Sequence, residues 1–209
     1  MPPRPKSKKL PRSYYARSTL ELCPDILGKV LVYDSPAGRL AARIVEVEAY
    51  IGEGDPACHA SAGKTSRAGI MFGKPGHAYI YFIYGMYHCL NFVTEPEGTA
   101  AAILIRGAEP LEGERIMMAN SPKANPVTLL SGPGKLCRAF GLTREQNGLD
   151  LTKSELWVED RGLAIKNVAT SPRVGITKAT RRPWRFFDAD SPAVSKTPRP
   201  RATRKQVSG

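Results

Sequence analysis

Residues 78–94 read AYIYFIYGMYHCLNFVT. Two runs rich in aromatic and apolar residues flank Tyr84-Gly85-Met86-Tyr87, the pattern of two strands folded back on a tight turn. Alternation over Tyr79-Ile80-Tyr81-Phe82-Ile83 gives one tyrosine-rich face and one purely apolar face, the period of a half-buried strand. Gly85 supplies the backbone freedom of a two-residue hairpin loop. The tip itself is unusual. Hairpin tips face water and are commonly Asn, Asp, Gly or Ser, whereas this one carries Tyr84, Met86 and Tyr87. Such a tip is awkward to bury in the domain's own core, so it points to a partner. An aromatic wedge on a hairpin of a basic protein is the tool that unstacks a DNA base step from the minor groove.

Working outward, residues 13–22 read as a helix and 27–33 as a strand, with a turn at 35–38. Residues 39–50 alternate as a long strand, broken over 52–56. Residues 60–77 form a glycine-rich basic loop that leads into the hairpin. Beyond the hairpin, 100–106 reads as an apolar strand, 110–119 as a helix and 120–130 as a connection. A short helix over 134–140 ends at Gly141. Residues 156–159, 173–176 and 184–187 are short strand candidates. There is no internal repeat. Antiparallel strands at the centre with a few peripheral helices predict an α+β fold: a single mixed domain over 13–195, with a central antiparallel β-sheet and a projecting β-hairpin.

The formal net charge of +12 is concentrated at the ends. Residues 1–12 contain five basic residues and no acid, as do residues 196–209, which leaves +2 for the 183 residues between. Both basic segments are rich in proline and read as disordered arms, attractive to polyanions or merely solubilising. No apolar run is long enough to span a bilayer and no signal-peptide core is present. Cys23, Cys58, Cys89 and Cys137 lack CxxC spacing, so neither a disulfide framework nor a zinc site is indicated. A reducing cytoplasm fits, with no metal. Gly63-Lys64-Thr65 ends like a phosphate-binding loop, but Cys58 stands where that motif needs its first glycine. Lys64, Arg67 and Lys74 are candidates for ordinary phosphate contacts.

The site constellation starts at Arg43-Ile-Val-Glu-Val-Glu-Ala-Tyr50. Strand alternation puts Val45, Val47 and Ala49 on one face and Glu46, Glu48 and Tyr50 on the other. Two such carboxylates are most often a solvated face. Here a tyrosine continues the face and the run ends in a loop holding His59. A carboxylate beside aromatics and an imidazole is how a general base is built for attack at an anomeric carbon. Arg106 closes a strand, and its structural role would be to pair with Glu109 or cap a chain end. Tyr79 and Tyr81 would be core residues in most proteins.

The segments RIVEVEAY (43–50), the 55–59 run, MFGKPGHAYIYFIYGMYHCLN (71–91), IRGAEP (105–110), SGPGKLC (131–137) and RVGI (173–176) together resemble the alkyladenine (3-methyladenine) DNA glycosylase family, in order and spacing. The resemblance covers nearly all of the chain from about residue 10 to 195, and the basic tails lie outside it. It implies a single domain whose antiparallel core projects a hairpin, with no metal or organic cofactor. Residue by residue, it implies Glu48 as the general base that deprotonates the water attacking C1′. Arg106 is implied beside that water and the sugar-phosphate. Tyr50, His59 and Tyr81 match the walls of a pocket for a flipped base, and Asn91 the residue that rejects guanine by crowding its exocyclic amine. Tyr84, with Met86 and Tyr87, matches the intercalating wedge. Val47 departs from the threonine often found between the two glutamates, and Ser66-Arg67-Ala68-Gly69 is less basic than that loop usually is.

The chemistry implied is coherent. A purine alkylated at N3 or N7 is cationic, leaves readily, and stacks between electron-rich rings. Flipping it costs a few kcal/mol, least where damage has weakened pairing. No lysine is placed as a Schiff-base nucleophile, so hydrolysis without strand cleavage is expected. The expected partner is double-stranded DNA carrying alkylated purines (3-methyladenine, 7-methylguanine, with hypoxanthine and ethenoadenine as further candidates). The chain is expected to act as a monomer on a bacterial nucleoid. Three other classes compete: a lesion-binding protein that cuts nothing, a hydrolase of small nucleotides, and an RNA-binding module. A carboxylate at position 48 has no use in a pure binder of a polyanion. An exposed wedge has none in an enzyme of small nucleotides, and no RNP-type motif is present.

Overall fold

The computed structural model describes residues 9–196. Its centre is an antiparallel sheet ordered β3-β4-β5-β2-β1-β6, with β8 pairing β2 and β7 pairing β8. The strands are β1 (Val30–Ser35), β2 (Gly38–Ile51), β3 (Ala78–Ile83), β4 (Tyr87–Val93), β5 (Ala101–Glu112), β6 (Leu156–Glu159), β7 (Val168–Ser171) and β8 (Arg185–Asp188). Among the described residues four α-helices accompany them: α1 (Arg12–Tyr15), α2 (Thr19–Ile26), α3 (Glu114–Asn120) and α4 (Pro133–Phe140). The expected α+β architecture with a projecting hairpin is present.

β2 organises the molecule. β1 pairs the first half of one edge of this 14-residue strand, from Gly38 to Arg43, and β8 pairs the second, from Glu46 to Glu48. β5 runs along the other edge. The register slips between Ile44 and Val47, where Ile44 faces Ala108, Glu46 faces Gly107 and Val47 faces Ile105. That bulge reverses which residues point to the core. Leu40, Ala42 and Ile44 join the main hydrophobic cluster before it, and Val47 and Ala49 after it. The partner strand slips in step, with Ile103 and Ile105 but then Ala108 in the same cluster. Residues of α2, α3 and α4 complete this core, among them Leu22, Met117, Leu136 and Phe140. The opposite face carries a smaller cluster, in which Cys58, Ala60, Ala68 and Met71 of the 58–72 loop pack against Tyr79, Val93 and Ala102.

Several boundaries differ from expectation. The helix expected over 13–22 is two helices, because Thr19 is anchored by its N–H and hydroxyl to Glu95 at 2.7 and 2.8 Å. Pro110, Leu111 and Glu112 extend β5 rather than opening a helix; Pro110 pairs with Ala42 and Glu112 with Ala41, and Leu111 falls at a register shift between them. Residues 173–176 form no strand; they are a loop tied down by side chains. The strand β7 escapes the sequence reading because its burial alternates only weakly at the surface. The hairpin loop has three residues, since Ile83 pairs with Tyr87 and leaves Tyr84-Gly85-Met86 as the turn. Tyr84 and Gly85 both have left-handed φ, 55° and 67°. Glycine takes this freely and tyrosine does so at a cost.

Of the arm expected over 1–12, residues 1–8 lie outside the described residues, as do 197–209 of the C-terminal tail. Lys9 to Arg12 belong to the folded unit. Lys9 bridges Glu159 and donates to the carbonyls of Lys153 and Ser154, and Leu10 packs into the core. Arg12 pairs with Asp150. No helix among the described residues is long and apolar enough to cross a membrane.

Candidate active site

The sheet face opposite the helices holds the site. Tyr79 lies across from Asn91, Asn91 from Leu104, Leu104 from Glu48, and Glu48 from Arg185, so one lateral row crosses β3, β4, β5, β2 and β8. Tyr50, Tyr81 and Arg106 share that face by alternation along their strands. A cavity of about 780 Å³ opens over it. Tyr50, His59, Tyr79, Tyr81, Asn91 and Arg106 line it, together with Tyr84 and Tyr87 of the hairpin, residues 131–135 leading into α4, and residues 174–178. Its size and its apolar walls with a few polar groups suit a drug-sized planar ligand.

Both carboxylates of β2 are fully buried, not solvated. Glu48 accepts from the Val174 N–H at 2.7 Å, the Tyr50 hydroxyl at 2.9 Å and the Arg106 guanidinium at 3.4 Å. Burial raises its pKa above the ordinary carboxylate range, and neighbouring Glu46 adds to this. Arg106, Val174 N–H and Tyr50 oppose the rise without cancelling it. Glu46 accepts from Arg185 at 2.7 Å, Arg106 at 3.2 Å, and the N–H and hydroxyl of Ser195 at 2.6 and 2.7 Å. Arg106 therefore bridges the two carboxylates and donates also to the Ser195 hydroxyl at 3.1 Å. It does not meet Glu109, which pairs with Arg43 at 2.7 Å.

The aromatic walls are held from several sides. The His59 Nδ1 meets the Tyr79 hydroxyl at 2.9 Å, and the ring lies edge-on to Tyr81 with centroids 4.7 Å apart. Burial and the nearby Arg67 push the His59 pKa down to about 4, so the ring is neutral near pH 7. Burial raises the Tyr50 and Tyr81 hydroxyls above their ordinary value. Asn91 is buried and fixed by its amide N–H groups, which donate to the carbonyls of Tyr79 and Cys89 at 3.0 and 3.2 Å. At the hairpin tip Tyr84 is 75 % exposed, Met86 58 % and Tyr87 37 %. Tyr87 rests on Gly134 of α4, where an added Cβ would come within 2.7 Å of its ring.

The basic loop behaves less uniformly. The Arg67 guanidinium stacks on Tyr81 at 4.8 Å, while Lys64 and Lys74 are exposed and stand outside the cavity lining. Four contributors escaped the sequence reading. Arg173 forks onto Asp55 at 2.6 and 2.7 Å and stacks on Tyr50 at 4.6 Å and Trp184 at 5.1 Å. Val174 offers Glu48 a backbone N–H, Tyr79 orients His59, and Ser195 closes over Glu46 and Arg106. Alternation signals only Tyr79; the others come from loops distant in sequence. All four cysteines are free and buried, and no group of three or more His, Cys, Asp or Glu among the described residues could hold a metal.

Comparisons with known proteins agree with this geometry. Residues 13–192 match the model of the methylpurine-DNA glycosylase family. A Methanocella arvoryzae protein is 58% identical over 192 residues, spanning 90% of this chain and 96% of its own. Proteins of Alkaliphilus oremlandii and Chlorobaculum parvum are 47% and 48% identical, over 90% and 91% of this chain and 99% and 92% of theirs. All three are named as inferred 3-methyladenine DNA glycosylases. This chain belongs to the methylpurine-DNA glycosylase family, hydrolases of N-glycosidic bonds in DNA.

Proposed function

We propose that this protein is a monofunctional DNA glycosylase that hydrolyses the N-glycosidic bond of alkylated purines in duplex DNA by base flipping, with Glu48 activating water. The observation that carries the reading is a fully buried carboxylate, held by three donors, directly behind an aromatic cavity whose rim is an exposed aromatic hairpin tip. Tyr84 and Met86 enter the duplex and fill the gap left by the extruded nucleotide. The base stacks among Tyr50, His59 and Tyr81, with Asn91 at its edge. Lys64 and Lys74 meet flanking phosphates.

In the chemical step a water oxygen bonds to C1′ and its proton passes to Glu48. The C1′–N bond breaks and its electron pair leaves with the base. A cationic base departs as a neutral purine, so the step needs no acid. Arg106, shared between Glu46 and Glu48, keeps the Glu48 carboxylate available for the proton and lies where the sugar-phosphate approaches. Lys135 and Lys178 line the cavity, but the groups bonded to Glu48 are Val174, Tyr50 and Arg106, which supports hydrolysis without strand cleavage. The protein works as a monomer on chromosomal DNA in the cytoplasm.

Single-turnover release of free base from methylated duplex DNA tests this, with wild type beside Glu48→Gln. The expected result is excision by the wild type and a loss of about 10³-fold or more in the variant, with duplex binding retained. Undiminished excision by Glu48→Gln would remove Glu48 from the mechanism. Tight lesion binding without excision by either protein would leave a non-catalytic damage binder.

A further inference from the structure

Two arginines stack on the aromatic walls of the base cavity from outside it. Arg67 lies 4.8 Å from the centroid of Tyr81, and Arg173 lies 4.6 Å from that of Tyr50. Both tyrosines line the cavity and neither arginine does, so a base entering the cavity meets rings that already carry a cation against them. The two differ in charge balance. Arg173 is buried and neutralised by its forked pair with Asp55. Arg67 is exposed, and among the described residues no carboxylate pairs with it. Its field reaches the same wall by a second route, because it also depresses the neighbouring His59.

An aromatic face attracts a cation through the ring quadrupole. A cation already resting on one face draws that density toward itself and repels a second positive charge on the other. A base stacked on the free face of Tyr81 would sit roughly 8 Å from the Arg67 guanidinium, close enough for repulsion inside a partly desolvated cavity. A neutral base meets no such repulsion. It also gains from a ring whose density is drawn away.

We propose that Arg67 is a specificity-determining residue, which reduces the advantage of positively charged alkylated purines over neutral lesion bases and so broadens the range of bases excised. The inference rests on the glycosylase reading above. Solvent screening of the exposed guanidinium keeps the effect modest.

The test compares duplexes carrying 7-methylguanine, a cation, with duplexes carrying hypoxanthine, a neutral base. Single-turnover excision at subsaturating enzyme and equilibrium affinity are measured for wild type, Arg67→Gln and Arg67→Lys. In Arg67→Gln the ratio of 7-methylguanine to hypoxanthine excision is expected to rise on the order of three- to tenfold, with the affinity ratio moving the same way. Arg67→Lys keeps the charge and is expected to stay near the wild-type ratio. Equal losses on both duplexes, with a salt slope smaller by about one phosphate contact, would overturn the proposal and make Arg67 a backbone contact. An unchanged ratio would overturn it as well. A wild type that excises neither base would count against the reaction itself, and the affinity ratio would still decide the role of Arg67.

Discussion

Glu46 and Glu48 are the same residue type, two positions apart on one strand and equally buried, yet they do different work. Glu46 has four close donors and is a structural hub for Arg106, Arg185 and Ser195. Glu48 has longer contacts to Arg106 and sits behind Tyr50, Arg106 and Val174, all of which line the cavity. The pH dependence follows from these environments. The proposed base must be ionised, and the Glu48 pKa is raised, so excision of a cationic lesion should fall on acidification from a higher pH than an ordinary carboxylate would give. His59 adds no limb near neutrality, because its folded pKa of about 4 lies well below 6.5. Its depressed pKa affects stability instead. The unfolded chain binds a proton at His59 below about pH 6.5 and the folded one only near 4. This contribution to stability is therefore full above about 6.5 and is lost as pH falls between those values. Denaturant titrations across that window should show this loss in wild type and less of it in His59→Gln. A His59 resonance that titrates near 6.5 in the folded protein would refute the neutral-ring assignment. The alternation of 43–50 reveals that both carboxylates share a face with Tyr50. It does not reveal that the face is buried, because the covering groups, Val174, Arg185 and Ser195, lie more than 120 residues away in sequence.

At the scale of elements, what was legible depends on how local the cause is. The hairpin and the long β2 strand follow from period-2 patterning, and α4 from Pro133 at its start and Gly141 at its end. The bulge at 44–47 left no local mark, since Ile, Val, Glu and Val suit a regular strand as well as a bulged one. It is set by the pairing with β5, and it lets Ile44 and Val47 both join the core while Glu46 and Glu48 face away from it. The wedge has a similar hidden support. Tyr87 rests against Gly134, the second residue of α4, and the Arg138 guanidinium lies 5.8 Å from its ring. Gly134→Ala would improve helix propensity by up to about 1 kcal/mol, yet its methyl would come within 2.7 Å of the ring and displace it. The melting temperature should change by no more than a few degrees, whereas single-turnover excision from duplex DNA should fall by about tenfold as the wedge loses its seat. Wild-type excision rates in Gly134→Ala would show that the seat of Tyr87 is irrelevant to strand entry.

For the whole molecule, the two basic ends leave the domain from different places. Lys9 is held at β6 by Glu159, Trp157 and the carbonyls of Lys153 and Ser154, and β6 is the sheet edge opposite β3. Ser195 is bonded to Glu46 and to Arg106, a cavity-lining residue, so Lys196 stands at the cavity end of the sheet. Residues 1–8 carry three basic residues and 197–209 carry four, with no acid in either. If charge alone mattered, removing either end would weaken DNA binding almost equally, because counterion release depends only on how many phosphates are neutralised. The roots of the two segments argue otherwise, since a charge can neutralise a phosphate only where the duplex passes, and the duplex must pass the cavity and the hairpin tip. Truncation after Lys196 should therefore lower affinity at low salt and reduce the salt slope by up to about 3–4, near 0.9 for each lost contact, while deletion of 1–8 changes the slope by less than about 1. Single-turnover excision at saturating enzyme should be unchanged in both, because Val174, Tyr50 and Ser195, described residues bonded to Glu48 or Arg106, are all retained. Equal slope changes for the two truncations would show that the ends act through net charge alone, and the position of Ser195 would then have no bearing on how the enzyme holds its DNA.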